Sequence, residues 1–281
     1  MTPTARSITQ EVLAIARQVQ ASQPDVTPVA VWDFDGTLLR GDCSEGYRPT
    51  SEAGYAGLAE IAIYRKLSER YHPGQMQHCW QEYRMVAARH GKAAAHSFLV
   101  QAFAGAKESE LLALSREYFE QTLGRWLFSD GVQTLRSLES NGVRCVVISA
   151  SADFFVKGAA AVLPLAECRI HGIRLGRRDD GRLSHDVVAP VTSGEGKVGR
   201  MWEVMKEMAA EEPGRSFLPV LAIGDSLETD GAMLEAVARN PLPVGTPLSL
   251  IVNGGGSAAS RGHRFREISF QTTLGLELVK L

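Results

Sequence analysis

Apolar positions along the chain follow two distinct periods. Three short runs rich in β-branched residues predict buried strands, at 28–34 (PVAVWDF), 143–150 (VRCVVISA) and 217–226 (FLPVLAIGDS). Segments with apolar residues at helical spacing separate or follow them, at 130–142, 196–212 and 230–240. Strands that alternate with helices are typical of a parallel sheet covered on both faces. The pattern therefore predicts an α/β core with a doubly wound, Rossmann-like parallel sheet.

Between the first two predicted strands the pattern changes to helices alone. Glycines separate four segments with helical spacing, at 55–71, 76–91, 93–103 and 109–123. Each segment has an apolar face of its own. We therefore expect residues 47–127 to form an inserted helical domain.

Three further segments complete the predicted organisation. Residues 5–21 predict an amphipathic helix, and residues 168–188 predict a hairpin with Asp180-Gly181 at its turn. Residues 257–281 follow no pattern that assigns them to an element. The expected domains are an N-terminal helical extension (1–27), the α/β core (28–46 and 128–281) and the helical insert (47–127).

Composition excludes several classes of protein. A formal net charge of −2 argues against a general nucleic-acid binder, which carries a basic excess. No segment approaches the roughly 18 apolar residues of a membrane span, and we expect no membrane contact. The four cysteines are scattered without metal-binding spacing. Together with the absence of a signal-peptide pattern at the N-terminus, this leads us to expect a cytoplasmic protein.

Polar and reactive residues gather where the predicted strands end. The first strand ends in Asp33-Phe34-Asp35-Gly36-Thr37, the second in Ser149-Ala150-Ser151, and the third in Gly224-Asp225-Ser226, with Asp230 one turn further. Lys197 begins the helix before the third strand. Ligands of open parallel sheets bind at the carboxyl ends of the strands. We therefore expect these residues to converge on one edge of the sheet.

The charges of this set indicate its ligand. Four aspartates held close together repel one another unless a cation neutralises them. Mg²⁺ suits an incomplete shell of carboxylates that water and a phosphate oxygen complete. Lys197 adds a fixed positive charge, and Ser149 offers a hydroxyl near a helix N-terminus, where anions bind. The combination fits phosphoryl transfer, which depends on positioning and charge neutralisation.

The motifs DFDGTLL, VVISAS, GEGKVGRM and GDSLETDGAML occur in the order and approximate spacing of the four motifs of the haloacid dehalogenase superfamily. The chain most resembles the phosphoserine-phosphatase-like branch of that superfamily, over most of residues 29–240. The helical insert between the first two motifs is similar to the cap domain of that branch. The resemblance implies a phosphatase with an α/β core and a cap.

The resemblance also implies a role for each motif residue. Asp33 would be the nucleophile that forms an aspartyl-phosphate, and Asp35 the general acid and base. Lys197 would steady Asp33 and the transferred group. Phosphoryl oxygens would be held by Thr37, Ser149 and Lys197. Mg²⁺ would be held by Asp33, the main-chain carbonyl of Asp35 and Asp225, with Asp230 supporting its water shell.

Simpler interpretations exist for several of these residues. Asp33 and Asp35 can form a polar turn or begin a calcium loop, and Ser149 or Ser151 can cap a helix. Asp230 suits the start of a helix because an acidic residue there favours the helix dipole. Residues 194–199 (GEGKVG) match the G-x-G-x-x-G template for dinucleotides, but the acidic residue expected about 20 positions further is missing. The order of all four motifs favours the phosphatase.

The motifs specify the identity of the substrate less closely than they specify the type of reaction. In phosphoserine phosphatases an acidic side chain after the first motif grips the amino-acid end of the substrate. Asp42 and Glu45 occupy that segment here, and the usual glutamate is replaced by the shorter Asp42. Several tyrosines and a tryptophan of the insert can form its core or a cage for a cationic leaving group. Phosphoserine, phosphocholine and other small monoesters all remain candidates.

We thus expect a Mg²⁺-dependent phosphatase that hydrolyses a small phosphorylated metabolite through an aspartyl-phosphate. The presence of Asp35 favours ester hydrolysis, because family members that act on other bonds usually lack an aspartate there. One alternative is a phosphotransferase that passes the phosphoryl group to a second alcohol. Another is a catalytically silent metal-binding regulatory protein. The sequence does not specify the oligomeric state.

Overall fold

The structure is a computed structural model that describes residues 1–253 and 265–270. The chain divides into two compact units. Unit 1 comprises residues 1–40, 126–148 and 194–281, and unit 2 comprises residues 41–125 and 149–193. The unassigned residues 257–264 and 271–281 lie outside the described residues. The expected domain boundaries remain a prediction.

The strands are β1 (Val26–Trp32), β2 (Gly46–Tyr47), β3 (Tyr55–Ala56), β4 (Arg144–Ala152), β5 (Ile170–Arg177), β6 (Leu183–Val188), β7 (Ser216–Gly224), β8 (Leu248–Val252) and β9 (Arg266–Ile268). The helices are α1 (Pro3–Ser22), α2 (Leu58–Tyr64), α3 (Met76–His90), α4 (Lys92–Gln101), α5 (Glu108–Gln121), α6 (Ser129–Ser140), α7 (Asp153–Val156), α8 (Glu195–Glu211) and α9 (Leu227–Ala238). Short 3₁₀ turns follow α5 and α7.

Seven strands form one sheet in the order β6-β5-β4-β1-β7-β8-β9. β1 pairs in parallel with both β4 and β7, and the pairs β7–β8 and β8–β9 are also parallel. The β5–β6 hairpin is antiparallel, and Gly181 at its turn has φ 79°. This mostly parallel sheet flanked by helices confirms the predicted Rossmann-like α/β class. The hairpin confirms the turn expected at Asp180-Gly181.

The core of unit 1 lies between the sheet and helices α8 and α9. Val29 and Val31 of β1 belong to one apolar cluster with Met201 of α8 and Met233 of α9. Because side chains alternate along a strand, Ala30 and Trp32 point to the opposite face. Helix α1 packs against β1, β7 and α6 in the same unit. Every residue of β1 is therefore buried.

Helix α1 is tied to α6 at its first turn. The backbone N–H and the hydroxyl of Thr2 donate to the two carboxylate oxygens of Asp130, at 2.7 and 2.8 Å. The same hydroxyl accepts a bond from the N–H of Ala5, which caps the helix. Ile8, Val12 and other residues on one side of α1 are buried. The predicted amphipathic helix thus belongs to the packed structure of unit 1.

Unit 2 contains helices α2–α5, the β5–β6 hairpin and the small antiparallel β2–β3 pair. Its aromatic core includes Phe103, Phe154 and Phe155, with ring centroids 4.7 to 5.9 Å apart. Four predicted helices are present, but the first is shorter than residues 55–71. It ends at Tyr64 because Lys66 has φ 61°, which no α-helix accommodates.

Within residues 1–253 and 265–270, no helix has both the length and the apolar character that crossing a bilayer requires. All four cysteines are free thiols. Cys43, Cys79 and Cys145 are buried, whereas Cys168 is exposed.

Candidate active site

Asp33 is placed by the register of the central strands. Trp32 pairs with Val147 of β4 and with Ile223 of β7, so the carboxyl ends of β1 and β7 lie together. The N–H of Asp33 donates to the carbonyl of Ile223 at 2.8 Å. Asp33 is only 4% exposed. The strand therefore delivers a buried carboxylate to the edge of the sheet at which ligands of such folds bind.

The loop after β1 folds back on Asp33. The carbonyl of Phe34 accepts bonds from the N–H groups of Thr37, Leu38 and Leu39, at 2.7 to 3.2 Å. This tight turn brings the Thr37 hydroxyl to 2.8 Å from Oδ2 of Asp33, to which it donates. One carboxylate oxygen of Asp33 is thereby oriented by its own loop.

Gly36 is required in this loop for two reasons. Its φ of 75° lies in the left-handed region, which favours glycine. A Cβ atom at this position would lie 2.0 Å from Oδ2 of Asp225. The loop after β1 therefore packs its backbone directly against the carboxylate that follows β7.

Lys197 joins two buried carboxylates. It lies in the first turn of α8 and is fully buried. Its ammonium donates to Oδ1 of Asp33 at 2.6 Å and to Oδ1 of Asp230 at 2.5 Å. Burial of a lone ammonium is costly, and these two charges compensate it. The lysine of the GEGKVG segment thus points into the aspartate cluster.

Asp230 also holds the loop after β7. Its Oδ2 atom accepts bonds from the N–H groups of Asp225 and Ser226, at 3.0 Å each. Gly224 makes this possible, because a Cβ there would lie 2.5 Å from the Cβ of Asp230. Both oxygens of Asp230 therefore accept hydrogen bonds from protein groups. One carboxylate fixes Lys197 and orients the backbone that carries Asp225.

The proximity of these charges changes their protonation. Burial and the nearby charges of Asp230 and Asp225 raise the pKa of Asp33 well above its usual value, although Lys197 opposes the shift. Burial and the charge of Asp230 raise the pKa of Asp225 to about 7. Burial alone would lower the pKa of Lys197, yet Asp230 and Asp33 together raise it. The lysine therefore stays charged.

The carboxylates can hold a metal ion. One oxygen from each of Asp33, Asp225 and Asp230 lies within 4.8 Å of the others. An all-oxygen set suits a hard divalent cation, and a cation there would reverse the raised pKa values of Asp33 and Asp225. Asp35, which follows in the β1 loop, is half-buried. Its charge contributes to the raised pKa of Asp225, so it belongs to the same electrostatic cluster.

The other expected site residues lie in unit 2. Ser149 is fully buried, and its hydroxyl accepts a bond from the N–H of Ser151 at 2.9 Å. Thr192 donates to the carbonyl of Ser149 at 2.6 Å. The Oδ1 atom of Asp42 accepts hydrogen bonds from the N–H groups of Ser44 and Glu45, at 2.7 Å each. Asp42 therefore shapes its own loop, and the carboxylate of Glu45 accepts a bond from the Tyr83 hydroxyl.

A small pocket in unit 2 includes both acidic residues. Asp42, Glu45 and His96 are among its polar lining residues, and Leu99 and Phe155 are among its apolar ones. The Tyr83 ring stacks on His96 with centroids 6.4 Å apart. In the sequence, Tyr83 is one of several aromatic residues of the insert, and nothing there links it to Glu45.

Asn253 is a further polar residue that sequence reasoning missed. It follows β8, and its side-chain amide donates to the carbonyl of Gly36 at 3.2 Å. A polar residue at the carboxyl end of a parallel strand is a recognisable signal. Here the signal was hidden because the surrounding segment is rich in proline and glycine and was not predicted as a strand.

The parallel sheet and the cluster of carboxylates with one lysine at its edge define a known class of α/β hydrolases. The chain belongs to the haloacid dehalogenase-like hydrolase family, whose model matches residues 30–235. This finding confirms the resemblance seen in the four motifs. No curated protein sequence matches the chain.

Solved structures share the fold at low identity. One is a protein of unknown function from Bordetella pertussis Tohama I, with 19% identity, TM-score 0.62, and coverage of 86% of this chain and 98% of that one. A HAD-family hydrolase from Salmonella enterica serovar Typhi has 17% identity, TM-score 0.51, and coverage of 98% and 79%. Cytosolic 5'-nucleotidase IIIB bound to cytidine has 14% identity, TM-score 0.52, and coverage of 85% and 77%. Phosphoserine phosphatase-like proteins are also among the structural neighbours.

Proposed function

We propose that the protein is a Mg²⁺-dependent phosphatase that hydrolyses a small phosphate monoester through an aspartyl-phosphate. One observation carries the proposal: Lys197 bridges Asp33 and Asp230 while Thr37 donates to the other oxygen of Asp33. A buried carboxylate held by two donors at the edge of a parallel sheet is suited to attack a phosphorus atom in a fixed orientation. Family membership supports the hydrolase class.

In the first step, a carboxylate oxygen of Asp33 attacks phosphorus as the bond to the leaving alcohol breaks. Asp33 must be ionised to do so, and burial opposes ionisation. The ammonium of Lys197 favours the ionised form and balances the charge of the transferred group. Thr37 and Ser149 are the proposed partners of the phosphoryl oxygens.

Asp35 is the proposed proton carrier. It gives a proton to the leaving alcohol in the first step. In the second step, Asp35 takes a proton from a water molecule that attacks the phosphorus of the aspartyl-phosphate. This hydrolysis releases phosphate and restores Asp33. Asp35 is half-buried, whereas Asp33 is nearly inaccessible, so Asp35 is the better placed of the two to exchange protons with water.

The residues that would hold Mg²⁺ are Asp33, the main-chain carbonyl of Asp35, and Asp225. Bound Mg²⁺ would neutralise the substrate phosphate and the clustered carboxylates. Asp230 would support this site indirectly, since it orients the backbone of Asp225 and fixes Lys197. Direct support of the metal's water shell by Asp230 remains a prediction.

The proposed substrate is a small phosphorylated metabolite. Asp42 and Glu45 remain the proposed specificity residues, and residues 47–127 remain the proposed cap. The two carboxylates favour a leaving group that carries a positive charge or donates hydrogen bonds. We also propose a cytoplasmic location, which four free thiols favour.

A phosphate-release screen tests the function. Purified protein is offered about a hundred small phosphomonoesters, with Mg²⁺ and with chelator. We expect release with Mg²⁺ only, and loss of release in Asp33→Asn. Asp25→Asn is the matched control, because Asp25 is exposed in the turn before β1. Wild-type activity in Asp33→Asn, or inertness toward every ester, would contradict the proposal.

Excess acceptor alcohol separates hydrolysis from phosphotransfer. A hydrolase gives one phosphate for each ester consumed, whatever the acceptor. A phosphotransferase gives less phosphate and a new ester. Mg²⁺ binding without turnover would identify the silent regulatory protein instead.

A further inference from the structure

Asn253 makes three hydrogen bonds that link separate segments of unit 1. Its backbone N–H donates to the carbonyl of Ile268 at 3.0 Å, which extends the β8–β9 pairing. Its side-chain oxygen accepts the N–H of Phe270 at 2.9 Å, and its side-chain nitrogen donates to the carbonyl of Gly36 at 3.2 Å. The partners fix the orientation of the amide, because an N–H requires the oxygen and a carbonyl requires the nitrogen.

The backbone of Asn253 suits this position. Its φ of 52° lies in the left-handed region, which asparagine tolerates better than most residues. The register of β8 explains where it lies: Ile251 pairs with Gly224, so Asn253 follows two residues beyond the end of β7. The strand therefore brings this amide to the edge that carries the aspartate cluster.

Gly36 is where the loops of the cluster meet. Its N–H donates to Leu39 at 2.8 Å, so the bond from Asn253 leaves neither polar backbone group of Gly36 without a partner. Its α-carbon faces the carboxylate of Asp225. The next residue, Thr37, donates to Asp33. A rotation of the Gly36–Thr37 peptide would thus disturb both Asp33 and Asp225.

A second contact joins the same segments. Gly131 of α6 lies against Leu38 and Phe270, since a Cβ there would lie 3.1 Å from Leu38 and 3.5 Å from Phe270. Phe270 and Leu38 are both buried. Gly131 thus lies against both the β1 loop and the segment at 265–270, and Asn253 links the same two segments by hydrogen bonds.

We infer that Asn253 is a positioning residue that fixes the Gly36–Thr37 peptide and so holds Asp33 and Asp225 in register. Asn253 is exposed and contributes little to burial. Its loss should disturb the geometry of the site far more than the stability of the fold. The catalytic part of this inference rests on the proposed phosphatase function, whereas the positioning part does not.

Two variants of Asn253 separate the effect of its side-chain nitrogen, which donates, from that of its side-chain oxygen, which accepts. Asn253→Gly keeps the left-handed backbone and removes both side-chain bonds. Asn253→Asp keeps an acceptor for Phe270 but cannot donate to Gly36. Asn141→Gly and Asn141→Asp are matched controls, because Asn141 is also exposed in unit 1 and donates to a main-chain carbonyl, that of Ser137 at 2.8 Å.

Hydrogen exchange of a peptide covering residues 33–39 tests the positioning without any substrate or metal. We expect about two- to tenfold faster exchange in both Asn253 variants, as loss of one hydrogen bond implies, and no change in the controls. Unchanged exchange in the Asn253 variants would overturn the inference.

Kinetics with the best ester from the screen test the catalytic consequence. We expect kcat to fall about tenfold in both Asn253 variants, with KM changed much less, because misplacement affects the reacting groups. Thermal denaturation should show folded protein throughout. Wild-type kcat in both variants would overturn the inference. A wild-type protein that hydrolyses no ester would refute the proposed function, and hydrogen exchange would still decide the position of the loop.

Discussion

Lys197 and Asp230 form a fully buried ion pair, with Nζ of Lys197 2.5 Å from Oδ1 of Asp230 and neither side chain exposed. The same ammonium contacts Asp33 at 2.6 Å. One positive charge thus faces two almost entirely buried carboxylates. The pair couples the electrostatics of the site to the stability of unit 1.

Removing this ammonium should destabilise the protein. Lys197→Met leaves Asp33 and Asp230 buried without a counter-charge, and we expect a loss of about 3–5 kcal/mol in the free energy of unfolding at pH 8. Urea denaturation measures it. Lys206→Met is the control, because Lys206 is an exposed residue of the same helix. A loss no larger in Lys197→Met than in Lys206→Met would show that the pair contributes little.

The loop after β1 should tolerate no side chain at Gly36. Gly36→Ala combines backbone strain at φ 75° with a contact of 2.0 Å to Asp225. Gly214→Ala is the control, since Gly214 has φ 87° and nothing within 4 Å of an added Cβ. We expect the control to lose about 1–2 kcal/mol from strain alone. Gly36→Ala should lose more, and should also lose phosphatase activity. If denaturation curves show equal losses of stability in Gly36→Ala and Gly214→Ala, the close contact between position 36 and Asp225 would be contradicted.

The stability of the metal-free protein should depend on Asp225. Its pKa rises from 3.8 in the ordinary case to about 7 in the folded protein, chiefly through burial. The folded state therefore retains a proton that the unfolded state has lost between these values. As pH rises through this window, the folded state loses stability by at most about 1.4 kcal/mol per pH unit from this group.

Measurements on chelator-treated protein test the direction of this pH dependence. Wild type should lose stability relative to Asp225→Asn as pH rises from 4 toward 7, and the difference should level off above 7. Denaturation at several pH values measures it. Mg²⁺ should bind more tightly at pH 8 than at pH 5.5, because binding displaces the proton. If the stability difference between wild type and Asp225→Asn does not change with pH, the raised pKa of Asp225 would be contradicted.

Asp35 should act on the chemical step alone. Asp35→Asn retains the shape of the side chain but cannot carry a proton, and we expect phosphatase activity to fall about 10²- to 10⁴-fold. With an aryl phosphate, whose leaving group needs no proton, Asp33 of the variant should still form an aspartyl-phosphate, and slow hydrolysis should let it accumulate. Acid quenching and mass measurement of the intact protein detect the added phosphoryl group. Activity close to wild type would remove Asp35 from the proposed mechanism.

The sequence was most informative where local pattern and buried position agree. The strands around Val31, Val146 and Leu221 were predicted because β-branched runs bounded by turns indicate buried strands. β8 and β9 were missed because proline and glycine surround them, and their partners come from distant parts of the chain. The length of the first helix of the insert was overestimated because the backbone at Lys66 is left-handed, and the surrounding sequence does not signal this.

The same distinction applies to the site. The motifs identified Asp33, Asp225 and Lys197 as candidates, yet no local pattern states that Lys197 contacts Asp230, because their distance depends on how α8 packs beside β7. The hydrogen bond from Asn253 to Gly36 joins residues 217 positions apart. Contacts of this kind follow from the register of the strands, which sequence periodicity alone does not specify.

The anchoring of α1 through Thr2 and Asp130 has a practical consequence for handling the protein. The helix covers apolar surface of β1 and α6, so a shortened chain beginning at the first strand would expose that surface to solvent. Such a chain should be prone to aggregate during purification even though every motif residue is retained. An affinity tag is better tolerated when a spacer precedes Met1, because the bonds of Thr2 then stay intact.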